Sequence, residues 1–105
     1  MAHYLITAKP KEDKLRDLKN KLEKGAFIAL EPFGETLTHS LKHARIRENG
    51  NAVWEEEDYC SPPLKQERAA VLDDYFVHID VKPVKEGEGW KRISDLSKLF
   101  PNLTI

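Results

Sequence analysis

The Asn49-Gly50 pair, set between Arg45-Ile46-Arg47 and Ala52-Val53-Trp54, constrains this chain more than any other feature, because Asn-Gly suits the left-handed turn of a tight β-hairpin. It plants two antiparallel strands in the middle of the sequence. A two-residue loop sets Ile46 opposite Val53, Arg45 opposite Trp54, His43 opposite Glu56 and Lys42 opposite Glu57. These are apolar, cation–aromatic and opposite-charge pairs, each worth about 0.2–1 kcal/mol across neighbouring strands. On that ground Lys42 to Arg47 reads as strand rather than helix.

The flanking segments alternate between strand and helix patterns. His3 to Lys9 is short and β-prone, with Tyr4, Ile6 and Ala8 alternating against His3, Leu5 and Thr7, as in a strand covered on much of both faces. Pro10 suits a first helical turn, Leu15, Leu18 and Leu22 follow at helical spacing, and Gly25 is the usual stop. Ala26 to Leu30 reads as a second strand, ended by the Pro32-Phe33-Gly34 turn. Ser61 offers an N-cap and Pro62 and Pro63 fit a donor-free first turn. Leu64, Arg68, Val71 and Tyr75 then form one stripe of a second helix that runs to about Asp74. From Phe76 to Lys82, Val77, Ile79 and Val81 alternate with His78 and Asp80, and Pro83 closes this last strand. After a Gly87-Glu88-Gly89 hinge, Trp90, Ile93, Leu96, Leu99 and Phe100 form the apolar set of a short C-terminal helix, with Ser94 as cap and Pro101 as stop.

Strand, helix, strands, helix, strand is the order of an α+β, ferredoxin-like split βαβ sandwich, with two helices on one face of an antiparallel sheet. At 105 residues the chain fits a single α+β domain, with a core at 3–82 and a docking segment at 84–105. Over residues 3–82 the layout resembles that of the dimeric α/β-barrel proteins, in element order alone. The resemblance implies that the open sheet faces of two copies pack together as a homodimer, and Leu5, Ile28 and Leu30 supply apolar strand residues for it. Alternatively, Trp90, Ile93, Leu96 and Phe100 cover that face within one chain.

Composition narrows the partners. The 17 Lys and Arg against 18 Asp and Glu leave a net charge of −1, so no global field draws the chain to nucleic acid or an anionic membrane, and neither is expected. The longest purely apolar run, Ala26 to Leu30, is far below the roughly 18 residues of a membrane span. The opening Met-Ala-His-Tyr-Leu-Ile-Thr lacks a secretory signal, and the single Cys60 makes no internal disulfide, so a cytoplasmic location is expected.

Chemistry concentrates between His39 and Cys60, which hold two of the four histidines, four consecutive carboxylates, a tryptophan and the only cysteine. A Gly-rich phosphate loop, CxxC, HExxH and GxSxG are absent, and no cofactor is expected. His39 and His43 would share one face of a helix as metal ligands, but on a strand they stand about 13 Å apart, too far for one ion. Glu55, Glu56, Glu57 and Asp58 do not all converge on a strand. Glu56 and Asp58 would share the face of Trp54, Arg45 and His43, as a polar pocket or as a charged edge that blocks strand addition. That pocket makes His43, Arg45, Trp54 and Glu56 the candidate ligand-binding residues. Cys60 gains reactivity from the following helix dipole and loses it to Glu57 and Asp58, and a buried structural thiol is the simpler reading. His78 and Asp80 lie two apart on the strand face turned from the helices, as a candidate catalytic acid–base pair. The expectation is a small soluble, dimeric binding or interaction module of unknown ligand, with a small molecule as one candidate partner. The alternatives are an enzyme working through His78 and Asp80, and a metal binder through His39 and His43.

Overall fold

A computed structural model describes residues 2–103; residues 1, 104 and 105 of the expected 1–105 domain lie outside the described ones. Strand β1 (Ala2–Pro10) sends Tyr4, Ile6 and Ala8 to one sheet face and His3, Leu5 and Thr7 to the other. Pro10 ends this strand instead of opening a helix. A 3-10 turn (Glu12–Lys14) leads into α1 (Leu15–Glu23), whose Leu18 and Leu22 are fully buried, and Gly25 stops the helix at φ +68°.

Residues 26–30 are not the expected second strand. The amides of Ala26, Ile28 and Leu30 bond to the carbonyls of Lys21, Gly25 and Phe27 at 2.9, 3.2 and 3.0 Å, so these donors are spent on successive turns. Phe27 enters the core, whereas Ile28 and Leu30 stay exposed and belong to no sheet face. Helix α2 (Gly34–Lys42) follows, starting at a glycine because a Cβ there would strike the backbone of Phe27 and Ile28. Leu37, Leu41 and Ala44, at helical spacing, are buried in the main core, and this periodicity wins residues 36–42 for helix.

The expected hairpin contracts and slips. Strand β2 (Arg45–Ile46) has two residues and pairs with β3 (Ala52–Asp58), with Arg45 opposite Val53 and Ile46 opposite Ala52. The slip comes from the loop, which holds three residues rather than two. The Arg47 amide bonds to the Asn51 carbonyl and the Gly50 amide to the Arg47 carbonyl, each at 2.9 Å, with Gly50 at φ +88° in the left-handed position that such loops require. A one-residue slip exchanges sheet faces. Arg45 therefore leaves the side of Trp54, and the expected pairs of His43 with Glu56 and Lys42 with Glu57 do not form.

The second helical stretch runs through α3 (Lys65–Glu67), a π-helical segment (Arg68–Leu72) and α4 (Asp73–Tyr75). The wider π turn shifts the phase of the stripe. Leu64, Glu67, Val71, Leu72 and Tyr75 face inward, and Arg68, expected on the stripe, is exposed. Strand β4 (Phe76–Val84) pairs antiparallel with β1, but a bulge sets Thr7 opposite Asp80 and Lys9 opposite Val77, and His78 takes φ +53°. The bulge breaks the expected alternation, so Phe76 is buried and Val77 exposed.

In the tail, helix α5 (Glu88–Arg92) is shorter than expected, and β5 (Ser97–Lys98) joins the sheet beside β2. The five strands, all paired antiparallel, lie in the order β4-β1-β3-β2-β5. This is a mixed α+β fold. The main core packs Ile6, Ala8, Ala52 and Trp54 of the sheet with residues of α1, α2 and the second helical stretch. A smaller one forms on the other face, where Leu5, Val53 and Ile93 are buried and Trp90, Leu96 and Val84 pack against them. Fully burying each large apolar chain contributes roughly 1.5–3 kcal/mol. The tail thus covers the apolar part of the sheet face on which the dimer expectation rested, although Phe100 joins the main core instead.

Candidate functional site

Alternation along β3 divides the carboxylate run. Glu56 and Asp58 share the face of Trp54 and Ile6, while Glu55 and Glu57 go to the face of Leu5 and Val53. On the tail face Glu55 has a structural task. Its carboxylate accepts the amides of Gly87, Gly89 and Trp90 at 2.8, 2.7 and 3.2 Å, which fixes the start of α5, and His3 Nδ1 stands 3.7 Å away.

Glu56 is almost fully buried on the helix-facing side. Trp54 Nε1 donates to its Oε1 at 3.0 Å, and its Oε2 has no hydrogen-bond partner. Glu67 reaches the same place from α3, fully buried, with Oε2 also unpartnered. The Cys60 thiol lies 3.8 Å from Glu67 Oε1. Asp58, at the end of β3, accepts the amides of Leu64 and Cys60 at 2.6 and 3.1 Å. It thereby organises the junction in place of Ser61, whose side chain does not cap the helix. One ligand-type atom each from Asp58, Cys60 and Glu67 lies within 4.8 Å of the other two.

The surroundings push these acids apart. Burial raises Glu56 well above the usual carboxylate range, opposed by the Trp54 hydrogen bond and reinforced by Glu67. Burial, together with the neighbouring Asp58, pushes Glu67 up to about 7. Burial also works against ionisation of Asp58, but hydrogen bonds from Glu67 and from the amides of Leu64, Cys60 and Tyr59 outweigh it and hold that carboxyl below its ordinary value. At Cys60 the Gln66 amide favours the thiolate, while desolvation and the charges of Asp58 and Glu67 prevail and push the thiol up. Among the described residues no Lys, Arg or His forms an ion pair with any of the four.

The cluster opens on a cleft of about 420 Å³, walled by Pro32, Phe33 and Thr36 on one side and by Glu57 to Cys60 and Gln66 on the other. An apolar wall facing an acidic one suits a small ligand that carries positive charge.

The other candidates are dispersed. Of the expected ligand-binding set, only Trp54 and Glu56 meet. Arg45 lies on the opposite face, where its Nη1 donates to the Leu96 carbonyl at 2.7 Å, and His43 ends α2 with Nδ1 donating to the His39 carbonyl at 2.8 Å. His39 and His43 converge because this stretch is helical, with ring centroids 4.2 Å apart. Partial burial, and then the charge of His43, lower the pKa of His39. Among the described residues no third ligand-type side chain completes a metal site with them. His78 sits in the bulge of β4 and Asp80 just after it, both exposed, and neither lines the cleft. Glu67 is the member that sequence reasoning missed. Its signal was a carboxylate three residues after Leu64 and four before Val71, on the apolar stripe itself.

Comparison of the chain with protein-family models, with curated proteins and with solved structures finds no match. No helix among the described residues is long and apolar enough to cross a membrane.

Proposed function

We propose that this chain is a small binding domain of the ferredoxin-like, split βαβ type, and that the cleft between the start of α2 and the β3–α3 connection seats a small cationic ligand. The strand order β4-β1-β3-β2, with helices linking β1 to β2 and β3 to β4, supports the fold reading. The observation that carries the functional reading is the acidic wall: Asp58 and Cys60 line the cleft, Glu56 and Glu67 stand behind them, and among the described residues no Lys, Arg or His pairs with the group. A ligand cation supplies the missing charge. Acid–base catalysis by His78 and Asp80 has less support, since both are exposed at a sheet edge away from this cleft. Self-association through the sheet face also has less support, because Ile93, Trp90 and Leu96 already pack on Leu5 and Val53.

Amide chemical-shift titration tests the cleft. Butylammonium should shift Phe33, Thr36, Tyr59 and Gln66 in a saturable way, and butyrate of the same length should not. Equal responses to both ions, or none to either, would remove the cationic-ligand reading.

A further inference from the structure

We propose that Asp58, Cys60 and Glu67 bind a thiophilic divalent cation of the zinc class, with Glu56 as the carboxyl behind them; this rests on the reading of the cleft as the ligand seat and names its cation. The three ligand-type atoms come from a strand end, a turn and a helix, and lie within 4.8 Å of one another. Sulfur and oxygen ligands at about 2.3 and 2.1 Å from one tetrahedral zinc ion stand some 3.5 Å apart. The backbone around them is already tied, because Asp58 Oδ2 holds the Leu64 and Cys60 amides.

A second observation points to the same ion. Glu56 is almost fully buried, contributes none of the three ligand atoms, and keeps Oε2 without a hydrogen-bond partner beside Glu67, whose own Oε2 is likewise unpartnered. Two buried carboxyls beside each other, with a third carboxylate and a thiol in reach of Glu67, are held together either by shared protons or by a cation. Protons serve while no metal is bound, and a metal ion serves better where a thiolate adds a soft ligand. Binding forms the metal–sulfur and metal–carboxylate bonds and releases to solvent the proton of the Cys60 thiol and the proton that Glu67 holds. Partial exposure of Cys60 gives the ion its way in.

The test uses the full chain, kept reduced without thiols, stripped of metal and titrated with Co²⁺. The expected result is a near-ultraviolet thiolate-to-cobalt band saturating at one ion per chain and displaced by Zn²⁺. Cys60→Ser should abolish the band, and Glu67→Gln, which keeps shape and hydrogen-bonding capacity, should weaken binding at least tenfold while circular dichroism shows both variants folded. Absence of the band at millimolar Co²⁺ in the folded protein overturns the proposal. So does unchanged affinity in Glu67→Gln, or one ion shared by two chains, since either describes a surface thiol acting alone. Butylammonium titration of the same sample separates the two readings. A cleft that binds the organic cation but not Co²⁺ removes the metal and leaves the cleft, whereas silence toward both removes the cleft as well.

Discussion

Ser40 of α2 donates its hydroxyl hydrogen to the carbonyl oxygen of Glu55 in β3 at 2.8 Å, with both residues buried. Strand β2 pairs only with the first residues of β3, at Ala52 and Val53. Beyond them a helix side chain takes the place of a neighbouring strand. Ser40→Ala should leave that carbonyl buried and unpaired, at a cost of about 1–3 kcal/mol. Urea unfolding measures it, and a loss below about 0.5 kcal/mol would mean that water or another group takes over.

Glu67, with Glu56 acting in the same sense, makes the metal-free chain less stable as pH rises, against the opposite trends of Asp58 and His39. The Glu67 carboxyl holds a proton up to about 7 in the fold but only up to about 4.3 when unfolded. The folded chain therefore binds more protons between those values, and its stability is full below the lower one and is lost as pH rises through the upper one. The loss is on the order of 3 kcal/mol. Glu67→Gln should flatten this part of the profile and be more stable than the parent at pH 8. A Glu67→Gln profile that runs parallel to the parent's from pH 5 to pH 8 would contradict the assignment.

Glu55→Ala should release the start of α5, because three amides lose their acceptor. Gly89→Ala should do the same by a different route, since a Cβ there would stand 2.9 Å from Glu55 Oε1 and 3.1 Å from Leu5 Cδ1. Each should cost about 2–4 kcal/mol and speed hydrogen exchange selectively over residues 87–96. Uniform acceleration along the chain would show that the tail is not a separable unit.

Ile93→Ala should open the small core over Leu5 and Val53, cost about 2–4 kcal/mol and make the chain associate. Light scattering should give the parent the mass of one chain across micromolar concentrations and the variant a mass that grows with concentration. A parent already at twice that mass would return the sheet face to the dimer.

His39 should titrate below an ordinary imidazole, through partial burial first and the charge of His43 second. His43→Gln should therefore recover only the smaller part of the shift in an NMR titration. Protonation favours the unfolded chain here, so this residue withdraws stability as pH falls below about 6.5.

Where a pattern repeated locally, the amino-acid order was a sound guide. Leu15, Leu18 and Leu22 with Gly25 marked α1, and alternation in β1 and β3 sorted their side chains onto the correct faces. Failures arose where tertiary contacts chose between locally equivalent readings. The apolar run 26–30 was long enough for a strand, but the approach of Gly34 to Phe27 and Ile28 folds it into turns. Asn49-Gly50 marked the hairpin, yet one extra loop residue moved Arg45 to the other face. Three of the four members of the candidate cluster, Glu56, Asp58 and Cys60, were visible. Glu67 was passed over because it is a carboxylate, although its spacing from Leu64 and Val71 set it on the apolar stripe.

The left-handed turn at His78 acts on the molecule from outside as well. Strand β4 is the long rim of the sheet, nine residues that would otherwise present an even row of outward amides and carbonyls to any other chain. The bulge interrupts that row, and the opposite rim, β5, is only two residues long. A stack of such sheets has no straight seam along which to grow. Straightening β4 by removing one residue at the bulge would give the protein a rim on which filaments nucleate.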